Sequence, residues 1–443
     1  MSFSNVSDAS SVLIDLQIVL NCNVWLKIKK QGVKALTIMK VMLVEPSGSG
    51  HHMALYVRHV IRKLKDEMCE VSLMTTRSAV AHPSYLLLKN ELKNVELHFL
   101  PELPSISDCS SLSLLLQQMR SWLIVRREFA QIVAKKKFDI VYVPTVDWVA
   151  KAIEMFGSPF KNVPFVVLYM APKHHRQSMG LGPAGRQDWL YDRLFQRLLR
   201  IRTLRKVLVI DEVFFEFCKL NYGVLSQKVQ YVPDFGEIRG QGSREQCRVL
   251  LGIPNEVKVL LVYGSLTQRK GIVQLIEALS NPAVPNELIV LLAGKASEDM
   301  QAILESPSVQ ILKANGRLIL RIGFHDDADE YQVFKASNFV WLGYVSGFYG
   351  SSGVLYQAVS VGLPVVAMEQ GLIGRIVRKH QLGVTVDPNS TESVLNGLME
   401  VLQLKRHGCS AEAEQKYTAS HNSLRHTEMV HAALSESNFE KNG

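Results

Sequence analysis

The chain has 443 residues, 47% of them hydrophobic and 21% charged, a balance that excludes a disordered tail protein, a collagen-like repeat and a disulfide miniprotein. That length exceeds what a single hydrophobic core organises, so two domains, or three at most, are expected. Fifty Lys and Arg against forty-one Asp and Glu leave a net charge of +9, which favours phosphates, acidic lipid surfaces or nucleic acid as partners without choosing among them.

Residues 12–26 come nearest to a membrane span but are interrupted by Asp15, Gln17, Asn21 and Asn23, whereas a span needs about 20 mostly apolar residues. Lys27, Lys29 and Lys30 follow this stretch, the reverse of a signal peptide. At Met39 the text changes. An apolar run through Val44 ends in Glu45, Pro46 and the loop Ser47, Gly48, Ser49, Gly50, His51, His52, after which a helical pattern begins, as at the first strand of a doubly wound domain. Residues 1–38 therefore read as an N-terminal extension with Met39 as a natural start; an amphipathic leader touching a membrane is the rival reading.

Short β-rich runs then alternate with helical stretches, at 70–75, 95–100, 140–143, 163–169, 207–210 and 229–232, and after a polar segment at 237–246 again at 257–263, 288–293, 318–322, 339–342 and 365–367. This βαβ rhythm predicts an α/β fold of two Rossmann-like doubly wound parallel-sheet domains facing a cleft, with boundaries at 39–236 and 237–402. Residues 403–443 read as a helical tail, a surface helix or a frayed end. Cys22, Cys69, Cys109, Cys218, Cys247 and Cys409 lie far apart with no metal-ligand spacing, as in a reduced cytoplasmic protein.

Between Arg186 and Lys206 there are seven Lys and Arg against two Asp. On a helix Leu190, Tyr191, Leu194, Phe195 and Leu198 share one face, with Arg193, Arg197 and Arg200 opposite. Such a helix can lie on an anionic membrane or pack on the core with a solvated basic side. Asp326 and Asp327 suit a helix N-cap better than a metal. No P-loop, nucleophile elbow or zinc-protease motif occurs, and no zinc finger, RNA-recognition signature or aromatic-interleaved basic stripe supports nucleic acid.

Three segments carry a resemblance. Lys228 to Gly236 is a strand followed by a Pro-containing turn. Val262 to Gly271 is a strand, a basic loop and a Lys-Gly helix start. Gly353 to Ala358, with Gly362 to Ala367, is a small-residue helix start and the strand after it. Together with the Ser47–His52 loop, in this order, they resemble the GT-B glycosyltransferases, specifically the family 4 group of retaining nucleotide-sugar enzymes, over roughly residues 39–402. The resemblance implies transfer of a sugar from a nucleoside diphosphate sugar, UDP or GDP first, to an alcohol that is a glycan, a lipid-linked molecule or a small molecule. It implies no metal and no cofactor beyond that donor.

At the residue level, Lys270 stands where a loop becomes a helix, a place that already favours an anion; the resemblance makes it the catalytic cation on the leaving diphosphate. The family's arginine after the strand is Ser265 here, so Arg269 is the expected second charge. Tyr349, Ser351, Ser352 and Gly353 precede a helix and form either a phosphate-binding loop or a plain N-cap. The two family glutamates of this region fall on Tyr349 and Gln357, so both carboxylates are absent. Glu369, in a glycine-bearing turn, either supplies a carboxylate or is exposed. Gly50 and the loop amides around it face donor or acceptor, with His51 and His52 as acceptor contacts or roleless surface histidines. His174 and His175 stand where relatives place a histidine beside the sugar. A non-catalytic binding or scaffold protein and a sugar-nucleotide epimerase are the alternatives.

Overall fold

The structure is a computed structural model and describes residues 38–48, 52–104, 111–345, 347–404 and 411–436. The leader at 1–37, the loop residues Ser49, Gly50 and His51, and Cys22, Cys109 and Cys409 lie outside the described residues. Within them Cys69, Cys218 and Cys247 are free thiols.

Strands β1 (Lys40–Val44), β2 (Glu70–Thr76), β3 (Glu96–Leu100), β4 (Ile140–Val143), β5 (Phe165–Tyr169), β6 (Leu204–Val209) and β7 (Val229–Tyr231) form a parallel sheet in the order β3-β2-β1-β4-β5-β6-β7. Strands β8 (Lys258–Tyr263), β9 (Leu288–Gly294), β10 (Leu318–Ile322), β11 (Phe339–Leu342), β12 (Val365–Met368) and β13 (Gly383–Val386) form a second, ordered β10-β9-β8-β11-β12-β13. Central strands are buried on both faces, which is why they read as unbroken apolar runs such as Val259–Val262 and Leu288–Leu292. In register, Leu43 pairs with Leu73 on one side and Tyr142 on the other. Each sheet reverses its order once, between β1 and β4 and between β8 and β11, and loops diverge there to leave a crevice beyond the strand carboxyl ends. The edge strand β13 is missing from the sequence pattern because it has four residues, opens on a glycine and is only half-buried.

The two halves form the GT-B fold. Their linker begins at Asp234 and runs beside the helix Gly353–Ser360: a Cβ on Gly236 would overlap the backbone nitrogen of Gln357, so only glycine lets these segments meet. Lys379 Nζ reaches Glu212 at 2.9 and 3.0 Å, a second tie across the halves.

The expected surface tail is corrected by the structure. The helix Ser423–Ser435 returns to the N-terminal domain and packs on the helix Arg58–Asp66 and on β6, burying Val430, Ala433 and Leu434 against Met39, Val57 and Val60. His426 Nδ1 bonds the Pro233 carbonyl at 2.8 Å. Few core residues are visible in this sequence because one narrow stripe suffices to cover a neighbouring helix. Leu434→Ala should therefore lower the unfolding free energy by about 2–5 kcal/mol in denaturant titration, as in other buried leucines; a change under about 0.5 kcal/mol, the surface range, would show a helix without a core role.

Candidate functional site

Three cavities run together along the crevice. The first, of about 490 Å³, lies at the carboxyl ends of β8, β9 and β10 and is lined by Gly264, Ser265, Gly294, Gly323, Phe324, Glu330 and Gln357, with Arg58 and His59 across from the N-terminal domain. The second, of about 620 Å³, shares Leu55 and Gln357 with the first and adds Arg176, Asp234, Arg269, Tyr349, Ser351 and Gly353. A third, of about 760 Å³, lies at the carboxyl ends of β1, β2, β4 and β5, shares His52, Met170 and Ala171 with the second, and is lined by Thr145, Asp147, Trp148 and Ser78.

The loop after β8 divides two cations. Lys270 is 5% exposed, its Nζ hydrogen-bonded to the Tyr263 carbonyl and its own carbonyl taking the Trp341 indole N–H at 2.7 Å. The ammonium thus closes the end of β8 and stands behind Gly264, 3.7 Å from where a Cβ on that glycine would lie. Gly271 makes the turn possible: its φ of +62° is left-handed and a side chain there would strike the Gly343 carbonyl. Arg269 points the other way, into the second cavity, its guanidinium 5.7 Å from the Tyr344 ring and 5.1 Å from Phe348. Those rings stack at 4.1 Å, so the arginine is held over a rigid aromatic support.

Opposite, the loop after β5 contributes Arg176, 5.6 Å from the Tyr349 ring, and Lys173. Burial pulls the Arg176 guanidinium below its ordinary pKa, against the opposing pull of Asp211 and Asp188. Asp147 fixes this loop, accepting the Met170 and Ala171 N–H groups at 2.9 Å each. Glu45, fully buried, orders the first loop by accepting Ser47 N–H at 3.0 Å and the Thr145 hydroxyl; burial pushes its carboxyl up to about 7.

The expected site residues sort clearly. Arg269, Tyr349, Ser351, Gly353 and Gln357 meet in the second cavity and Ser265 lines the first. Ser352 faces away, its hydroxyl on Tyr344 at 2.9 Å. His52 stands between the second and third cavities, while His51 and Gly50 lie outside the described residues. Glu369 is exposed and lines a separate cavity with Arg375 and Arg378. His174 and His175 are removed from the cleft: they are packed in the N-terminal core. The Tyr222 hydroxyl donates to Asp192 at 2.6 Å and takes the His174 Nε2 proton at 2.9 Å, and burial drives that imidazole down to about 3. His175 is fully buried, 3.1 Å from Asp211 and against Phe214. Arg176, the next residue, lines the second cavity. Arg176, Asp147, Glu45 and Glu330 escaped sequence reading; the only local signal was a charge just after an apolar run, at Glu45. Asp326 caps the helix Asp327–Ala336, accepting from Ala328 and Asp329 N–H at 2.9 Å.

Asp234, 2% exposed, joins the domains by accepting from Tyr56 at 2.5 Å, Ser351 at 3.3 Å and its neighbour Phe235 N–H at 2.9 Å. Burial outweighs these donors and pushes its carboxyl up to about 6 from an ordinary 3.8. The folded chain thus retains a proton that the unfolded chain releases above about pH 4, so this group's stabilisation is full below that pH and is lost as the pH rises through about 6. Relative to Asp234→Asn, the wild type should lose up to about 3 kcal/mol of stability between pH 4 and 7 in denaturant titration; parallel curves would show an ordinary carboxylate.

Residues 243–418 match the family model for glycosyl transferases group 1. Over 152 residues the chain is 27% identical to an uncharacterized glycosyltransferase of Methanocaldococcus jannaschii, the match spanning 34% of this chain and 37% of that protein. Among solved structures, a glycosyltransferase from Rickettsia africae superposes with a TM-score of 0.64 at 14% identity, over 92% of this chain and all of that one. HepE of Anabaena, solved with UDP and with UDP-glucose, gives 0.64 at 17% identity over 90% and 100% for its UDP complex. Sucrose-phosphate synthase of Thermosynechococcus elongatus gives 0.65 at 16% over 91% and 100%.

Proposed function

From a GT-B frame whose residues 243–418 carry a glycosyl transferases group 1 domain, we infer that this protein moves a sugar from a nucleoside diphosphate sugar to an alcohol, with retention of configuration as in family 4 and without a metal requirement. The observation that carries the reading is the continuity of the three cavities with cations from both domains at their middle. The nucleoside takes the first cavity, the diphosphate and sugar the second, and the acceptor the third, where Ser78, Gln118 and Trp148 offer the hydroxyl, amide and aromatic contacts that a glycan uses. HepE's complexes make uridine the first donor base to try; guanosine, the other base the resemblance implies, comes second.

Bond breaking leaves charge on the diphosphate. Arg269 and Arg176, each already held against an aromatic ring, meet it without reorganising, and the helix start at Gly353 adds N–H groups. Lys270 contributes a fixed positive field from behind Gly264. The departing phosphate collects the acceptor proton, so no separate base is required. Arg269→Ala and Arg176→Ala should each weaken UDP or GDP binding about tenfold or more, the worth of a charge-assisted hydrogen bond, and Lys270→Ala should cut turnover about 10²–10³-fold. A thermal-shift series with UDP, GDP, ADP and their sugars tests the reading: a scaffold protein would show no shift with any of them, and an epimerase would consume donor without acceptor.

Among the described residues no helix is long and apolar enough to cross a membrane. The basic helix Asp188–Leu199 nevertheless suits a peripheral site for a lipid-linked acceptor on the cytoplasmic face. Phe195, Leu198 and Leu199 face the core, but Leu190, expected among them, is 37% exposed beside Trp189 at 67%. Trp189, Leu190, Arg193, Arg197 and the C-cap Arg200 fall within an arc of about 100°, an amphipathic stripe fitted to anionic headgroups. Trp189→Ala with Arg193→Glu and Arg197→Glu should abolish co-sedimentation with phosphatidylglycerol vesicles and spare transfer to a water-soluble acceptor; undiminished sedimentation removes this surface from the proposal.

A further inference from the structure

We infer that the donor's sugar is acidic, a hexuronic acid whose carboxylate is read in the second cavity by the Arg176 guanidinium with Lys173 of the same loop beside it. This deepens the donor reading above and rests on it.

The second cavity is lined by three cations, Lys173, Arg176 and Arg269, and by one acid, Asp234. Asp234 is 2% exposed and already takes the Tyr56 and Ser351 hydroxyls and the Phe235 N–H. Among the described residues none of the three cations makes a hydrogen bond or an ion pair through its side chain. The neighbouring cavities differ. In the first, acids outnumber cations, and Arg58 and Arg239 are each held by one, Glu91 at 3.3 Å and Glu237 at 2.7 Å. The described wall of the third has Glu102 and Asp147 and no Lys or Arg. Unpaired positive charge is therefore concentrated where the diphosphate and sugar lie, and not where the base or the acceptor lies.

The diphosphate of a sugar nucleotide carries one negative charge on each phosphate. Arg269 and the helix start at Gly353 meet it from the C-terminal domain. Arg176 comes from the other wall. It is half-buried and lies over the Tyr349 ring at 5.6 Å. Its Nη2 is 3.8 Å from where a Cβ on Gly350 would lie, which puts the guanidinium at the loop before that helix start. The two acids that attract it, Asp211 and Asp188, are committed to backbone N–H groups. Asp211 accepts from Val213 and Phe214 at 2.9 Å each, and Asp188 accepts from Gly185 at 2.7 Å.

A guanidinium has five N–H donors in a planar fork, so an edge turned to phosphate leaves another for a second anion. A neutral hexose brings only hydroxyls to this wall, and the third cation stays without a counter-charge. A hexuronic acid carries a carboxylate in place of the C6 hydroxymethyl group. It supplies the missing charge on the same ligand, in the flat geometry that arginine binds bidentately. An acidic acceptor does not meet the requirement, because its cavity presents Glu102 and Asp147.

The test is titration calorimetry at about pH 7.5 and one fixed salt concentration, with UDP and GDP and with matched donors that differ only at C6. The pairs are UDP-glucose and UDP-glucuronic acid, UDP-galactose and UDP-galacturonic acid, and GDP-mannose and GDP-mannuronic acid. In the pair that binds best, the wild type should hold the uronate about ten- to hundredfold more tightly than the hexose. In Arg176→Gln that ratio should shrink to about threefold or less; a lost phosphate contact weakens both members of a pair alike and leaves the ratio unchanged. Lys173→Gln, which alters an exposed side chain and so does not threaten the fold, should shrink it in the same direction. A wild type that binds UDP or GDP and holds no uronate better than its hexose overturns this assignment alone, as does a ratio left whole in both variants. If the wild type binds no nucleoside diphosphate, the donor reading falls and this falls with it.

Discussion

Asp234 is the constraint through which the two halves of the crevice are set against each other. One fully buried carboxylate takes the Tyr56 hydroxyl from the N-terminal domain and the Ser351 hydroxyl from the C-terminal domain. It stands at the first residue of the linker, just before Gly236 packs on the helix that begins at Gly353. Burying that carboxylate raises its pKa and costs stability near neutral pH, a cost that a linker free of site duties would not carry. It stands where the loop Tyr349–Gly353 lines one cavity with Arg176 and Arg269.

Around that joint the cations are arranged by depth. Lys270 is sealed beneath Gly264, with its ammonium on the Tyr263 carbonyl. Arg269 and Arg176 approach from opposite domains, each resting on aromatic rings, Tyr344 with Phe348 and Tyr349 respectively. An anion between them would be gripped by both lobes, and the rings hold the guanidinium planes before it arrives. Tyr349, where the resemblance places a carboxylate, thus serves as the platform for a cation.

The carboxylates of the site are distributed in the same spirit. Glu45 and Asp147 spend their lone pairs on backbone N–H groups of the loops after β1 and β5 and on the Thr145 hydroxyl after β4, so they shape the third cavity. Glu330 alone among them couples to an amide with a vacant acceptor. All three acids are hydrogen-bonded; what stays without a partner is the Gln357 carbonyl oxygen beside Glu330.

The sequence alone determined the two parallel sheets, because buried strands need unbroken apolar runs and these are read from neighbouring residues; every strand the pattern predicts is present, and among the described residues only the short, half-exposed β13 lies outside it. It also determined which loops meet at the crevice, since strand carboxyl ends follow from the order of elements. Tertiary structure decided which residue of each loop faces inward. His174 and His175 against Arg176, Lys270 against Arg269, and Ser352 against Ser351 are neighbours in the chain, and a turn of one residue, set by the distant Phe214 and Tyr222 or by Tyr263 and Tyr344 seven and eight residues before, sends one into the core and the other into the cavity. The return of the helix Ser423–Ser435 to the first domain and the meeting of Glu330 with Gln357 were likewise decided only by folding, because both join segments with no pattern in common.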